Sequence, residues 1–167
     1  MKHMIEVCHE SIEVKADFER FTQNLESSLG RFDDSLYEGI ETAPDRVRER
    51  IEKAAGAEGL MLFSIRDHGR LLGLAGAPGK ARQYLIGNPL IAVTMTCHDI
   101  RAALYAPLRI LVYEAKNRST RVEYDLPSSL FGQFDDPGVT AVARSLDMKL
   151  ANLIKKAELA ASGVVAR

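Results

Sequence analysis

The sequence predicts an α+β domain: an antiparallel sheet of four to five strands with helices packed on one face. Three observations lead there. Phe18, Phe21, Leu25 and Leu29 recur at helical spacing near the start, and Val139, Val142, Leu146, Leu150 and Leu153 do so near the end. Between them lie two β-rich runs, Leu108 to Glu114 and Ser119 to Leu126, joined by the polar link Ala115-Lys116-Asn117-Arg118, which has hairpin length. Helices bracketing a run of antiparallel strands indicate a sheet with its helices on one side.

In chain order, residues 4 to 14 alternate imperfectly. Ile5 and Val7 share one parity and Ile12 and Val14 the other, so a strand here requires a β-bulge near Cys8 to Ser11. The stripe from Phe18 to Leu29 forms a helix that Asp17 caps and Gly30 ends. Residues 31 to 43, with Asp33, Asp34, Gly39 and Thr42 and no sustained period, read as a loop with one turn of structure around Leu36-Tyr37. Thr42-Ala43-Pro44-Asp45 then combines a capping hydroxyl, a first-turn proline and an acid three residues on from the cap, so a second helix runs to about Ala55. Its apolar side, Val47, Ile51, Ala54 and Ala55, is thin, which lays it on the surface against the core.

Leu60 to Ile65 is short, apolar and bounded by Gly59, the pattern of a buried strand. Asp67 caps a short helix through Leu71, Leu72 and Ala75 that Gly76 and Pro78 stop, and Ala81 to Gly87 is the next strand. Leu90 to Tyr105 is ambiguous: its Thr and Val favour a strand, whereas Asp99 followed by Ile100, Ala103 and Leu104 favours a turn of helix. After the hairpin, Asp136 caps a long helix with Pro137 at its first position, and the tail after about Ala161 is expected to fray. No internal repeat and no low-complexity block occurs.

At 167 residues the chain fits a single domain, 1–167, and 46% apolar against 27% charged residues is a globular composition. A net charge of -1 supplies no field to draw in a polyanion, so nucleic acid is not the expected partner. Arg46, Arg48, Arg50 and Lys53 are interleaved with Glu49 and Glu52, a solvated helix face. Cys8 and Cys97 are too few and too far apart for a disulfide scaffold, and reduced thiols are expected. The first residues lack the apolar run of a signal peptide, and no stretch approaches the ~20 apolar residues needed to cross a bilayer. A cytoplasmic protein without membrane contact is the expectation, with Met4 as a second candidate start.

Several segments together resemble the bacterial family called domain of unknown function 302. They are Asp67-His68 directly after a strand, Ile86-Gly87-Asn88-Pro89 closing the next strand, Ala106-Pro107-Leu108 opening the hairpin, and Tyr124 with Pro127 at its end. The resemblance runs from about residue 58 to residue 130. It implies a β-α-β-β-β-β-α layout similar to TATA-binding-protein-like folds, often paired as dimers, with no activity assigned. Against that pattern, residues of about 31–57 form an apparent insertion carrying an extra helix, within a core of about 4–160. Fold likeness alone does not license a DNA-binding reading.

Four residues are candidate binding groups: His68, Asn88, Tyr84 and Tyr113. Gly87-Asn88-Pro89 is explained as a strand terminator, since glycine permits an unusual φ and proline cannot donate to a ladder; Asn88 is otherwise a ligand-contacting amide on a strand-end loop. Asp67-His68 pairs a carboxylate with an imidazole that titrates near neutrality, although Asp67 is already explained as a cap. Cys8-His9 and Cys97-His98 contain zinc-ligand types, but neighbours on a strand point to opposite faces, and no close Cys-x-x-Cys or His-x-x-x-His appears. No metal or cofactor is expected.

Gly73 to Lys80 looks like a phosphate loop but has Leu74 where glycine is required and Ala81 where a hydroxyl is required. The acidic pairs Asp33-Asp34 and Asp135-Asp136 read as a polar loop and a helix cap. The leading expectation is therefore a binding module, a homodimer, holding a small ligand or a partner near Asn88 and His68. Two alternatives stay open: an enzyme using His68 as acid or base with Tyr84 or Tyr113 nearby, and a structural subunit whose exposed sheet edge pairs with a copy of itself.

Overall fold

In the computed structural model, which describes residues 2–163, the strands are His9–Val14 (β1), Gly30–Arg31 (β2), Met61–Asp67 (β3), Ala81–Gly87 (β4), Leu108–Glu114 (β5) and Thr120–Asp125 (β6). They form one sheet in the spatial order β1-β6-β5-β4-β3-β2. Every pairing is antiparallel except the two-residue contact of β2 with β3. The α-helices are Phe18–Ser28 (α1), Pro44–Ala54 (α2), His68–Leu71 (α3), Pro89–Thr96 (α4), Pro127–Phe131 (α5) and Pro137–Ala161 (α6), with 3-10 turns at Asp34–Tyr37, Ala57–Gly59, Leu72–Ala75, Ile100–Tyr105 and Gly132–Phe134.

The expected caps at both ends of the chain form. Asp17 accepts from the Arg20 amide at 3.1 Å and Asp136 from the Val139 amide at 2.9 Å, each satisfying a donor that has no partner within its helix. The stripes they start meet over the inner face of the sheet. Phe21 and Leu25 of α1, Leu150 and Leu153 of α6, and Ile110, Val112 and Val122 of the hairpin are all fully buried in one cluster. A polar seam closes its edge: Arg82 of β4 donates to Thr22 at 2.8 Å and to Glu19 at 3.2 Å, and the Tyr84 hydroxyl donates to Glu26 at 2.9 Å. The far end of α6 is pinned where β1 passes into α1, because Glu158 accepts from the Lys15 amide at 2.6 Å.

Strand β3 is buried on both sides at its start. Leu62 belongs to the main cluster, whereas Met61, one residue earlier and so on the opposite face, joins Val47 and Ile51 of α2 in a second one. This explains the unbroken apolar run in the sequence. The second cluster is completed by Phe32, Leu36 and Phe63. Gly30 and Gly56 meet under it, and both amides donate to the Leu60 carbonyl, at 3.1 and 3.0 Å. A Cβ on Gly56 would stand 2.2 Å from the Gly30 nitrogen, and one on Gly30 would stand 2.0 Å from the Ala54 carbonyl oxygen.

Several local expectations need correction. The first strand begins at His9, pairs with β6 in unbroken register and contains no bulge; Ile5 and Val7 lie before it, exposed. The bulge of this sheet lies in β3, between Leu62 and Ser64. Thr42 does not cap α2: its hydroxyl donates to the Gly39 carbonyl, and the cap position is Ala43, without a side-chain hydrogen bond. The ambiguous stretch 90–105 is helical, as α4 and the turn Ile100–Tyr105, which Asp99 caps by accepting from the Arg101 amide. Pro127 opens a further short helix, α5, instead of only ending a strand. The tail expected to fray lies, beyond residue 163, outside the described residues.

Replacing Gly56 by Ala forces two backbones apart and is expected to destabilise the protein by roughly 1–3 kcal/mol. Leu150→Ala, which opens a cavity in the main cluster, is expected to cost about 2–5 kcal/mol. Gly73→Ala is the control, since nothing lies within 4 Å of the added carbon. Urea unfolding followed by circular dichroism checks all three.

Candidate functional site

The end of β4 builds a pocket. Asn88 turns the chain from strand to helix: its side-chain oxygen accepts from the Leu90 amide at 2.7 Å and its side-chain nitrogen donates to the Gly59 carbonyl at 2.7 Å. Pro89 follows at the first helical position, where a missing N–H costs nothing. Helix α4 is thereby aimed across the end of the sheet, and a pocket of about 280 Å³ lies against it. Its buried side is made by Met95, Leu108, Phe131 and Leu146, while the exposed residues Tyr37 and Ala103 mark its rim. The Ala106–Pro107 peptide, which is cis, lies on its wall. None of the lining side chains is charged.

Gly87 faces this space. It does not have the unusual φ expected of it; it is an ordinary strand residue paired with Met61. A Cβ there would make ordinary contacts of 3.5 Å with Phe63 and 3.6 Å with Pro107, both lining residues. The backbone therefore does not require glycine, and the small residue keeps the pocket wide.

The uncovered face of the sheet carries the main polar cluster. Glu123 on β6 accepts from the Tyr113 hydroxyl at 2.7 Å and from the Ser11 hydroxyl at 3.2 Å, and lies 3.5 Å from the His9 ring, whose other nitrogen is 2.9 Å from Asp125. Strand register produces the arrangement, since His9 opposes Asp125 and Ser11 opposes Glu123. The Tyr113 hydrogen bond, more than those of Ser11 and His9, holds the Glu123 carboxyl below its ordinary pKa. The Asp125 hydrogen bond is the main cause that raises His9 above 6.5, and Glu123 adds to it. Two shallow hollows of about 490 and 220 Å³ share Gln83, Leu111 and Glu123 in their lining, and His68 and Leu72 border the larger.

The four candidate residues are thus divided among three places. His68 and Tyr113 both line the larger hollow on the uncovered face. The His68 side chain is exposed and has no carboxylate partner among the described residues. Asn88 lines the apolar pocket, with its amide committed to the backbone. Tyr84 is fully buried on the inner face under α1, where burial and the Glu26 hydrogen bond push its phenol well above the ordinary range. Sequence reasoning missed Tyr37, Phe63, Met95 and Phe131 as pocket residues, and it missed the link of His9 to Asp125, which depends on register. Among the described residues no group of three or more His, Cys, Asp or Glu side chains is placed to hold a metal ion. No helix among them is long and apolar enough to cross a membrane.

These features define a small α+β domain with a sheet covered mainly on one face and an uncharged pocket at the sheet's end. The chain belongs to the family described as domain of unknown function DUF302, whose model matches residues 39–157, so that α2 falls inside the matched stretch. It is similar to the uncharacterized conserved protein DUF302 from Bacillus stearothermophilus, known from a crystal structure. The two share 16% identity over 89% of this chain and 97% of that one, with a TM-score of 0.65, a likeness of fold. No curated protein matches the chain.

The raised His9 pKa means that its ion pair contributes stability fully below 6.5 and loses that contribution as pH rises through the folded-state value. An NMR titration of the His9 ring is expected to give a midpoint above 6.5, and Asp125→Asn is expected to bring it down. An unchanged midpoint in that variant would show that the two side chains do not pair in solution.

Proposed function

We propose that this domain is a binding module that holds a small molecule in the apolar pocket beneath α4. One observation carries the reading. At the end of the sheet a partly open space of about 280 Å³ is bordered mainly by apolar groups, with the Asn88 amide, the Tyr37 and Thr96 hydroxyls and no charge. That combination, at the small end of ligand-site volumes, is the usual make-up of a small-molecule site. The enzyme alternative built on His68 has less support, because no carboxylate among the described residues orients that imidazole.

Homodimer formation through the uncovered face is the accompanying proposal. Leu85 and Leu111 lie half-buried on that face, Leu72, 49% exposed, borders its larger hollow, and Leu71 and Leu74 in the same segment are 57% and 92% exposed. Exposed apolar groups gathered in this way mark interaction surfaces. A reducing compartment, the cytoplasm, suits the two exposed free thiols, Cys8 and Cys97.

Titrating the ¹⁵N-labelled protein with a library of small apolar fragments is expected to move the amide signals of Gly87, Ile91, Met95 and Leu108, and Gly87→Val, which fills the space, is expected to abolish the shifts. Shifts elsewhere, or none, would remove the pocket as the site. Native mass spectrometry of unheated protein is expected to report a dimer that Leu111→Glu converts to monomer; a bare monomer in the unmodified protein would end the dimer proposal.

A further inference from the structure

The pocket's wall says which chemical class it suits. With no charged side chain in the lining, an ionic ligand would leave water and meet no counter-charge, a strong penalty. Three aromatic rings, Tyr37, Phe63 and Phe131, contribute to the wall. Phe63 is held in place from behind by Phe32, stacked on it at 4.2 Å between centroids, and Phe32 in turn meets Tyr37 at 5.4 Å. A fixed ring face of this kind favours a flat ring against it. The volume is roughly twice that of an apolar cavity known to accept benzene.

The polar groups are equally selective. The lining holds three polar side chains: the Asn88 amide, which is taken up by Leu90 and Gly59 and so offers a ligand little, and the hydroxyls of Thr96 and Tyr37. The Tyr37 hydroxyl hydrogen-bonds to no other described residue. Burial first, and the nearby Asp34 charge second, raise its pKa, so it remains a neutral donor at pH 7.

We infer that the ligand of this pocket is an uncharged aromatic molecule of one or two rings bearing a hydrogen-bonding group, and that the Tyr37 hydroxyl at the rim reads that group. The inference rests on the pocket being the binding site. Tyr37 lies outside the stretch that matches the family model, on the turn Asp34–Tyr37. It thus belongs to the segment between α1 and β3 for which the sequence suggested no role, and it acts there as a specificity residue.

The test uses toluene, p-cresol, benzoate and benzylamine with the intact protein, read from the Gly87 and Met95 amide shifts. Toluene and p-cresol are expected to bind, and benzoate and benzylamine to bind at least about a hundredfold more weakly than p-cresol. Tyr37→Phe, which keeps the ring, is expected to weaken p-cresol about fivefold and leave toluene unchanged. Charged probes binding as tightly as p-cresol, or a Tyr37→Phe variant that retains full p-cresol affinity, would overturn the inference while leaving the pocket as a site. Failure of toluene and p-cresol alike to move those amides would overturn both.

Discussion

The inner face of the hairpin strands is buried beneath helices, chief among them α1 and α6, which pack against each other. Ile110, Val112 and Val122 share one buried cluster with Phe21, Leu25, Leu150 and Leu153. Hydrophobic burial of this kind is non-directional, so it does not by itself orient the helices. The hydrogen bonds at the margin do. Arg82 and Tyr84 tie β4 to α1, Lys149 of α6 donates to the Glu58 carbonyl at 2.6 Å, and Glu158 grips the Lys15 amide. Buried Tyr84 belongs to this machinery of attachment.

From that arrangement the pocket follows. With α1 and α6 occupying the inner face, α4 crosses the end of the sheet instead, and α2 takes the far side of β3. The corner between them is lined by groups from the segment after α1, the ends of β3 and β4, α4, the turn before β5, α5 and α6. Asn88 is the clamp of this corner because one side chain binds both the helix start and the loop before β3. One of its hydrogen bonds reaches Gly59, 29 residues away in the sequence, and the other holds Leu90 at the helix start, so the loop and the helix hold a common position.

The parts of the fold legible in the sequence are those governed by local rules. Long apolar stripes with an aspartate ahead of them became α1 and α6, and two β-rich runs around a short polar link became β5 and β6. Where local signals compete, reading failed. Pro89 to Thr96 is apolar nearly all round, so no stripe separates helix from strand; the Asn88 cap starts it as a helix, with Met95 buried and Val93 left exposed. The two residues of β2 are too few to show a period, and they pair with β3 beside the close approach of Gly30 and Gly56. At the site, Asn88 and Gly87 were visible as punctuation, but the pocket was not, since its walls come from residues as far apart as Tyr37 and Leu146. In the sequence His9 stands beside Cys8, whereas its partner in the fold, Asp125, is 116 positions away.

The two margins of the sheet differ from its faces in what they offer another molecule. One margin, β2, presents two residues, too short a template for a further strand. The other, β1, carries His9, Glu10 and Glu13 along its length, and an incoming strand would have to bring those charges close to its own side chains. Short or charged borders of this type discourage the open-ended sheet growth that leads to fibres. Contact with any other molecule is thereby steered away from backbone ladders and toward side-chain surfaces.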